Sequence, residues 1–257
     1  MLRLPVSGLE VLLRAPGGAE DVLLLDAFEY DARLALALLS RVAHRADGGD
    51  VDCETLTVTD FDALLLQLRR LVFGDLIRAD MKCPAADCGA QIDVAFSVRD
   101  YLSHHEPRIA HRAEPTGEDG WFRLRGTDFS FRLPTVADLL AVSDHPHAER
   151  ELRRRCLRPA KNYARFMPRI ETAMRALAPS LSDVVRGTCP ECGEGVDIHF
   201  DPRQFVLREL RGQAAYVYAD VHLIAGRYHW SEADILALPR ARRLNYAEMI
   251  RRELSLD

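Results

Sequence analysis

The stretch CPAADCGAQIDVAF at 83–96 returns, shortened by two residues, as CPECGEGVDIHF at 189–200. Each copy opens on Cys-Pro, closes a tight turn with Cys-Gly and runs on into alternating apolar residues: Ile92, Val94 and Phe96 in the first, Val196, Ile198 and Phe200 in the second. A period of two places those side chains on one face of a strand. The glycine after the second cysteine tolerates a positive φ and leaves room beside the sulfurs. Two such turns supply four thiolates able to converge about 2.3 Å from a tetrahedral zinc ion. The expected fold is α+β, with a zinc-ribbon-like core built from two knuckle-strand half-sites. Its ligands are Cys83, Cys88, Cys189 and Cys192, and its cofactor is a structural Zn2+.

The second knuckle has the common two-residue gap, whereas the four-residue gap of the first is at the wide end of the usual range. About a hundred residues separate the two, so the metal would pin the flanks of a large insertion, 104–186. The competing readings are two local disulfides or four plain core thiols. The N-terminus carries no signal-peptide pattern, so a cytoplasmic, reducing compartment is expected, where knuckles hold metal. Four thiolates leave no open coordination position, which makes the site structural rather than catalytic. Such sites contribute on the order of 10–16 kcal/mol in zinc-finger peptides. Cys53 and Cys156 have no knuckle around them and read as buried or free thiols.

At 257 residues the chain can bury a sizeable core. It has no uncharged apolar run of membrane-spanning length, since Asp62, Gln67, Arg69 and Arg70 break the Leu-rich stretch 61–73. The net charge of −5 disfavours nucleic-acid binding, which normally needs a basic surface to displace counterions. The basic runs Arg153–Arg155 and Arg240–Arg243 sit in helical patterns and read as solvated helix faces.

Along the chain, Leu9–Leu13 and Val22–Leu25 read as a hairpin turning at Pro16, Gly17 and Gly18. A helix follows over Asp31–His44, with His44 at its solvated end. The next helix is capped by Thr59 with Asp62 three residues on, and its stripe is Phe61, Leu64, Leu65, Leu68, Leu71 and Val72, stopped by Gly74. A polar loop runs from His104 to Asp119, where His104, His105 and His111 read as solvated. A second hairpin spans 121–133, and Thr135 with Asp138 caps a helix. Helical patterns cover 136–143, 147–157, 168–177 and 181–186. Asp201-Pro202 opens a long helix to about Ala225 that Gly226 closes. Ser231 caps another helix, and Pro239 begins the last. Tyr228 and Trp230 either pack the last helices onto the body or present a docking surface.

A nucleophile elbow, a phosphate loop, a dinucleotide fingerprint and an HExxH helix are absent from the sequence, so no enzyme activity is expected.

Four segments together resemble the T4-type baseplate family of contractile phage tails and extracellular contractile injection systems. They are LRLPVSGLEVLLRAPGGAEDVLLL at 2–25, LTVTDFDALLLQLRRLVFGDLIRADMKCP at 56–84, FSFRLPTVADLLAV at 129–142 and YHWSEADILALPRARRLNYAEMIRREL at 228–254. The resemblance implies a non-enzymatic role, either as a hub-associated structural subunit or as an assembly chaperone. Its implied partners are other baseplate or tail subunits, and the residues it carries over are the zinc ligands Cys83, Cys88, Cys189 and Cys192 alone; the expected contact residues Tyr228, His229 and Trp230 rest on the aromatic character of their segment. The resemblance also allows residence in a released tail-like particle. The alternative is a zinc-ribbon nucleic-acid-binding or transcription-associated protein. The expected organisation is an N-terminal hairpin and helix over 1–58, a metal-clamped body over 59–200 and a C-terminal helical segment over 201–257, together in one unit.

Overall fold

The computed structural model describes residues 1–255 and shows a mixed α+β chain in which small antiparallel sheets alternate with helices. Strands β1 (Leu2–Arg3) and β2 (Glu10–Leu13) are followed by helices α1 (Gly18–Asp26) and α2 (Ala32–Val42), then by β3 (Ala43–Arg45). Strand β2 is the centre of a three-stranded sheet between β1 and β3. The expected hairpin partner Val22–Leu25 is helical instead. The Glu20 carboxylate accepts a hydrogen bond from the Gly17 N–H at 2.7 Å and holds Arg14 through both oxygens, which closes a helical first turn. Asp21 and Leu24, three residues apart, are both fully buried, a helical rather than a strand period. Asp31 caps α2, whose buried Leu34, Leu38, Leu39 and Val42 form an apolar stripe at helical spacing. His44 does not extend that helix. It lies in β3, opposite Leu12.

Helix α3 (Val58–Phe73) is the axis of the body. Its cap is Thr57, which accepts from the Asp60 N–H at 3.1 Å, two residues ahead of the expected Thr59. The pattern Thr-x-x-Asp occurs twice in TVTDFD, and burial decides between the copies. Thr59 donates instead to the Pro179 carbonyl at 2.9 Å, and Asp62 turns inward. Asp60 accepts from the N–H groups of Val6 and Ser7 at 2.8 Å each, pinning the N-terminal turn to this helix. Phe61, Leu64, Leu65, Leu66 and Leu68 are fully enclosed, each burial worth about 1.5–3 kcal/mol. Leu71, expected in the stripe, is half exposed. Gly74, at φ 85, ends the helix and donates its N–H to Arg70.

Strands β4 (Leu76–Lys82) and β5 (Gln91–Ser97) form the first knuckle hairpin, and α4 (Val98–His104) follows. The insertion contributes β6 (Ala113–Pro115), β7 (Trp121–Leu124), β8 (Ser130–Arg132), α5 (Val136–Val142), α6 (Ala148–Cys156), β9 (Leu157–Arg158) and α7 (Met167–Leu177). Its strands join in the order β6-β7-β8-β9, so the expected polar loop 104–119 contains a strand. Leu124, Phe131, Leu157, Ile170 and Ala173 give the insertion a small core of its own.

The expected helix at 181–186 is strand β10 (Asp183–Thr188), which pairs along its whole length with β11 (Gly195–Phe200). The β-branched Val184 and Val185 favour the extended chain, and the second knuckle needs an inbound strand just as the first has β4.

The C-terminal part consists of α8 (Pro202–Ala214), α9 (Val217–Tyr228), α10 (Glu232–Ala237) and α11 (Arg240–Leu254). Asp201 caps α8 as expected, accepting from Arg203 and Gln204. The single long helix expected here breaks after Ala214, because its halves serve different cores. Leu207, Leu210 and Ala214 face the main core, whereas Ile224 joins Ile235, Ala247 and Ile250. Gly226 lies within α9, and His229 at φ 57 ends it. The Arg240–Arg243 run is not a solvated face. Arg243 is buried against Asp21, at 2.5 Å, and against Asp220, while Arg240 also binds Asp21. The main core draws on residues from Leu4 to Tyr101, on Val136 and Leu181, and on Phe200 to Ala214.

Candidate metal centre

The two knuckle hairpins leave the body side by side and remain separate two-stranded sheets. Their apolar faces, with Met81, Ile92 and Val94 on one and Val196 and Ile198 on the other, meet in a small core shared with the cysteines. At the root, Phe96 and Phe200 touch edge to face with centroids 5.2 Å apart, and Tyr101 packs on both rings. The period-two pattern thus bears out the strand expectation in both copies, with each knuckle at the distal end of its hairpin.

The turns are built alike despite their different lengths. The Cys83 N–H donates to the Ala90 carbonyl and the Cys189 N–H to the Glu194 carbonyl, both at 2.8 Å. The two extra residues of the first knuckle are taken up by a turn in which the Cys88 N–H donates to Ala85. Gly89 and Gly193 have φ values of 61° and 75°, the conformation their position after the second cysteine requires.

All four sulfurs lie within 4.8 Å of one another. Across the hairpins, Cys83 Sγ is 3.6 Å from Cys192 Sγ and Cys88 Sγ is 3.9 Å from Cys189 Sγ. A tetrahedron with metal–sulfur bonds of 2.3 Å has edges of about 3.8 Å, so the spacing fits one four-coordinate ion. It does not fit disulfides, whose sulfurs are about 2.05 Å apart, and the six cysteines are all free.

Backbone N–H groups also converge on the sulfurs. Those of Cys192 and Glu191 point at Cys189 and lower its thiol pKa to about 7. Cys83 receives one from Ala85, yet burial and the neighbouring thiols push it up to about 12. Crowded thiolates oppose one another's ionisation, which is the electrostatic problem a bound cation removes. Cys83 and Cys189 are buried while Cys192 faces solvent, so the centre sits at a tip with one side open. Cys53 and Cys156 lie elsewhere, buried, with thiols pushed by desolvation to about 11. Both are inert by that measure.

Neither a protein-family model, nor a curated protein, nor a solved structure matches this chain.

Of the three histidines in the 104–119 segment expected to be solvated, His105 is buried. Its Nδ1 is 2.8 Å from the Tyr101 carbonyl and its Nε2 is 3.3 Å from the Asp183 carboxylate, so it ties α4 to β10. Among the described residues no second set of three or more metal-binding side chains converges. Tyr228 and Trp230 meet at a tilt with centroids 5.4 Å apart, and both pack against Tyr246 of α11. Trp230 stays 37% exposed and His229 faces solvent, so the cluster packs the last helices while keeping an outer edge. The sequence reading missed Tyr246, which the helical spacing of α11 places beside Ala247 and Ile250. No helix among the described residues is long and apolar enough to cross a membrane.

Proposed function

We propose that Cys83, Cys88, Cys189 and Cys192 bind one zinc ion as a fold clamp in a zinc-ribbon-like arrangement. The chain around it serves as a non-enzymatic structural or assembly protein of the baseplate of a contractile tail or contractile injection system. The observation that carries the clamp is the near-tetrahedral spacing of four sulfurs from two hairpins. An all-thiolate shell leaves no position for substrate or water, so the ion's contribution is to folding. The baseplate role is supported by the four resembling segments. One of them, 56–84, runs through α3 and β4 into the first knuckle, and another, 228–254, carries the Tyr228–Trp230–Tyr246 cluster, whose exposed edge suits docking through aromatic anchors.

Elemental analysis of the purified chain tests the first half. One zinc per chain is expected; iron would keep the clamp but change its metal, and absence of any metal would remove it. For the second half, a tagged chain should co-purify with tube, sheath or spike proteins from cells that assemble such particles. A shift of DNA or RNA that weakens steeply with salt would favour the nucleic-acid alternative, against which the net charge of −5 stands.

A further inference from the structure

Two surface features far from the cysteines fit each other. The first is Phe28, in the turn between α1 and α2, whose side chain is 100% exposed. It is held out rather than left loose. On one side the Tyr218 hydroxyl donates to Asp26 at 2.6 Å and Arg211 donates to the Ala27 carbonyl at 2.7 Å. On the other, Tyr30 lies under the guanidinium groups of Arg208 and Arg211. Asp26 and Glu29 are exposed on the two sides of Phe28 in the chain, so the turn displays an aromatic knob flanked by two acids, with Arg208 and Arg211 behind it at Tyr30.

The second feature is an open groove of about 670 Å³ between the β1–β2 turn, α3 and α4. Leu4 and Ala63 form its buried floor, with Val6, Leu102 and Pro107 around them. Arg3 and Arg99 stand on its lip together with Glu106. Among the described residues neither guanidinium forms a salt bridge, although the Arg99 backbone N–H donates to Asp75, and the Arg3 guanidinium lies over Gly8, whose φ of 70° and missing Cβ make room for it. The groove therefore has an apolar floor and a polar rim, on which two arginines outside any salt bridge outnumber the one glutamate. It suits an apolar side chain flanked by acids, which is what the Phe28 turn presents.

The two features share no residue, so one copy can offer both at once. We propose that Phe28 of one copy seats in the Leu4–Leu102 groove of a second copy, with Asp26 and Glu29 against Arg3 and Arg99. Such a contact joins different surfaces, head to tail, and builds a ring if the rotation closes or an open chain if it does not. A single aromatic anchor with a charged rim makes a small interface, so the association is weak and salt-sensitive.

Sedimentation equilibrium of the zinc-loaded full chain, from micromolar to submillimolar protein, tests this. The wild type should associate progressively, and both Phe28→Ala and Arg99→Glu should weaken association at least about tenfold. Phe28 and Arg99 are both exposed, so neither change threatens the fold. An equimolar mixture of the two variants is the decisive arm. The Phe28→Ala chain keeps an intact groove and the Arg99→Glu chain keeps its knob, so they should form one-to-one pairs that grow no further. A wild type that stays monomeric over the whole range overturns the proposal and leaves Phe28 to a different partner. It is equally overturned if Phe28→Ala associates like wild type, or if the mixture forms no pairs.

Discussion

The Cys83 sulfur lies 3.6 Å from the Cys192 sulfur, although 109 positions separate them in the chain and no strand pairing joins their hairpins. What brings them together is side-chain packing between two faces, completed at the tip by the thiols.

That arrangement predicts where loss of metal is felt. The core around the cysteines is small and distinct from the main core on α3. A zinc ion bound there would concentrate binding energy on the order of 10 kcal/mol in the part it organises. Chelation, or Cys189→Ser, should sharply raise amide exchange across 76–97 and 183–200 while the α3 amides stay protected. Loss of protection in α3 to the same extent would mean that the clamp holds the whole body, and unchanged exchange in the hairpins would mean there is no clamp.

A second prediction concerns pH. Burial raises the Asp62 carboxyl to about 7, with Arg203 at 3.3 Å lowering it and Asp201 raising it. Below about pH 4 the group is protonated in both the folded and the unfolded chain. Between there and pH 7 only the fold retains the proton, so rising pH costs stability, and above 7 the loss is complete. Asp62→Asn removes this titration. Urea melts at pH 4.5 and pH 8 should show the variant gaining on wild type by on the order of 2–4 kcal/mol at the higher pH. Parallel pH profiles for the two proteins would refute the assignment.

The knuckles could be read from the sequence because the convergence of four thiols is written locally: four cysteines, two glycines and two alternating strands. Strand β10 could not. DVVRGT has no clear alternation, and its two β-branched valines become a strand through pairing with β11. The helix cap was ambiguous for a different reason, since TVTDFD offers two equivalent capping patterns and the choice rests on Asp60 reaching Val6 and Ser7. Arg243 was hidden most deeply. An arginine in a polar helix reads as solvated unless its counter-ion is known, and Asp21 lies 222 positions away.

That buried network gives a third prediction. Asp21, on α1, binds Arg240 and Arg243 of α11, and Asp220, on α9, binds Arg251 at 2.7 Å. Asp21→Ala leaves the buried Arg243 guanidinium with only Asp220, at 3.6 Å, and should destabilise by about 3–5 kcal/mol in urea denaturation. Changing both partners, Asp21→Leu with Arg243→Met, should cost less than the single change. A double variant worse than Asp21→Ala would show that the pair contributes more than its own desolvation costs.

The fourth prediction reverses an ordinary rule. Alanine normally stabilises a helix relative to glycine by about 1 kcal/mol. Gly18 opens α1 where the backbone of Leu236 crosses it, and a Cβ there would lie 2.7 Å from the Leu236 Cα and carbonyl oxygen and 2.8 Å from Arg243 Nη1. Backbone cannot yield as a flexible side chain can, so α10 would have to move off α1. Gly18→Ala should therefore destabilise by about 1–3 kcal/mol. Gly226, inside α9, has nothing within 4 Å of its would-be Cβ, and Gly226→Ala should stabilise by up to about 1 kcal/mol. The two substitutions are chemically identical, so opposite signs in thermal or urea melts isolate the close approach of α10 to α1. Equal signs would show that the contact is not maintained in solution.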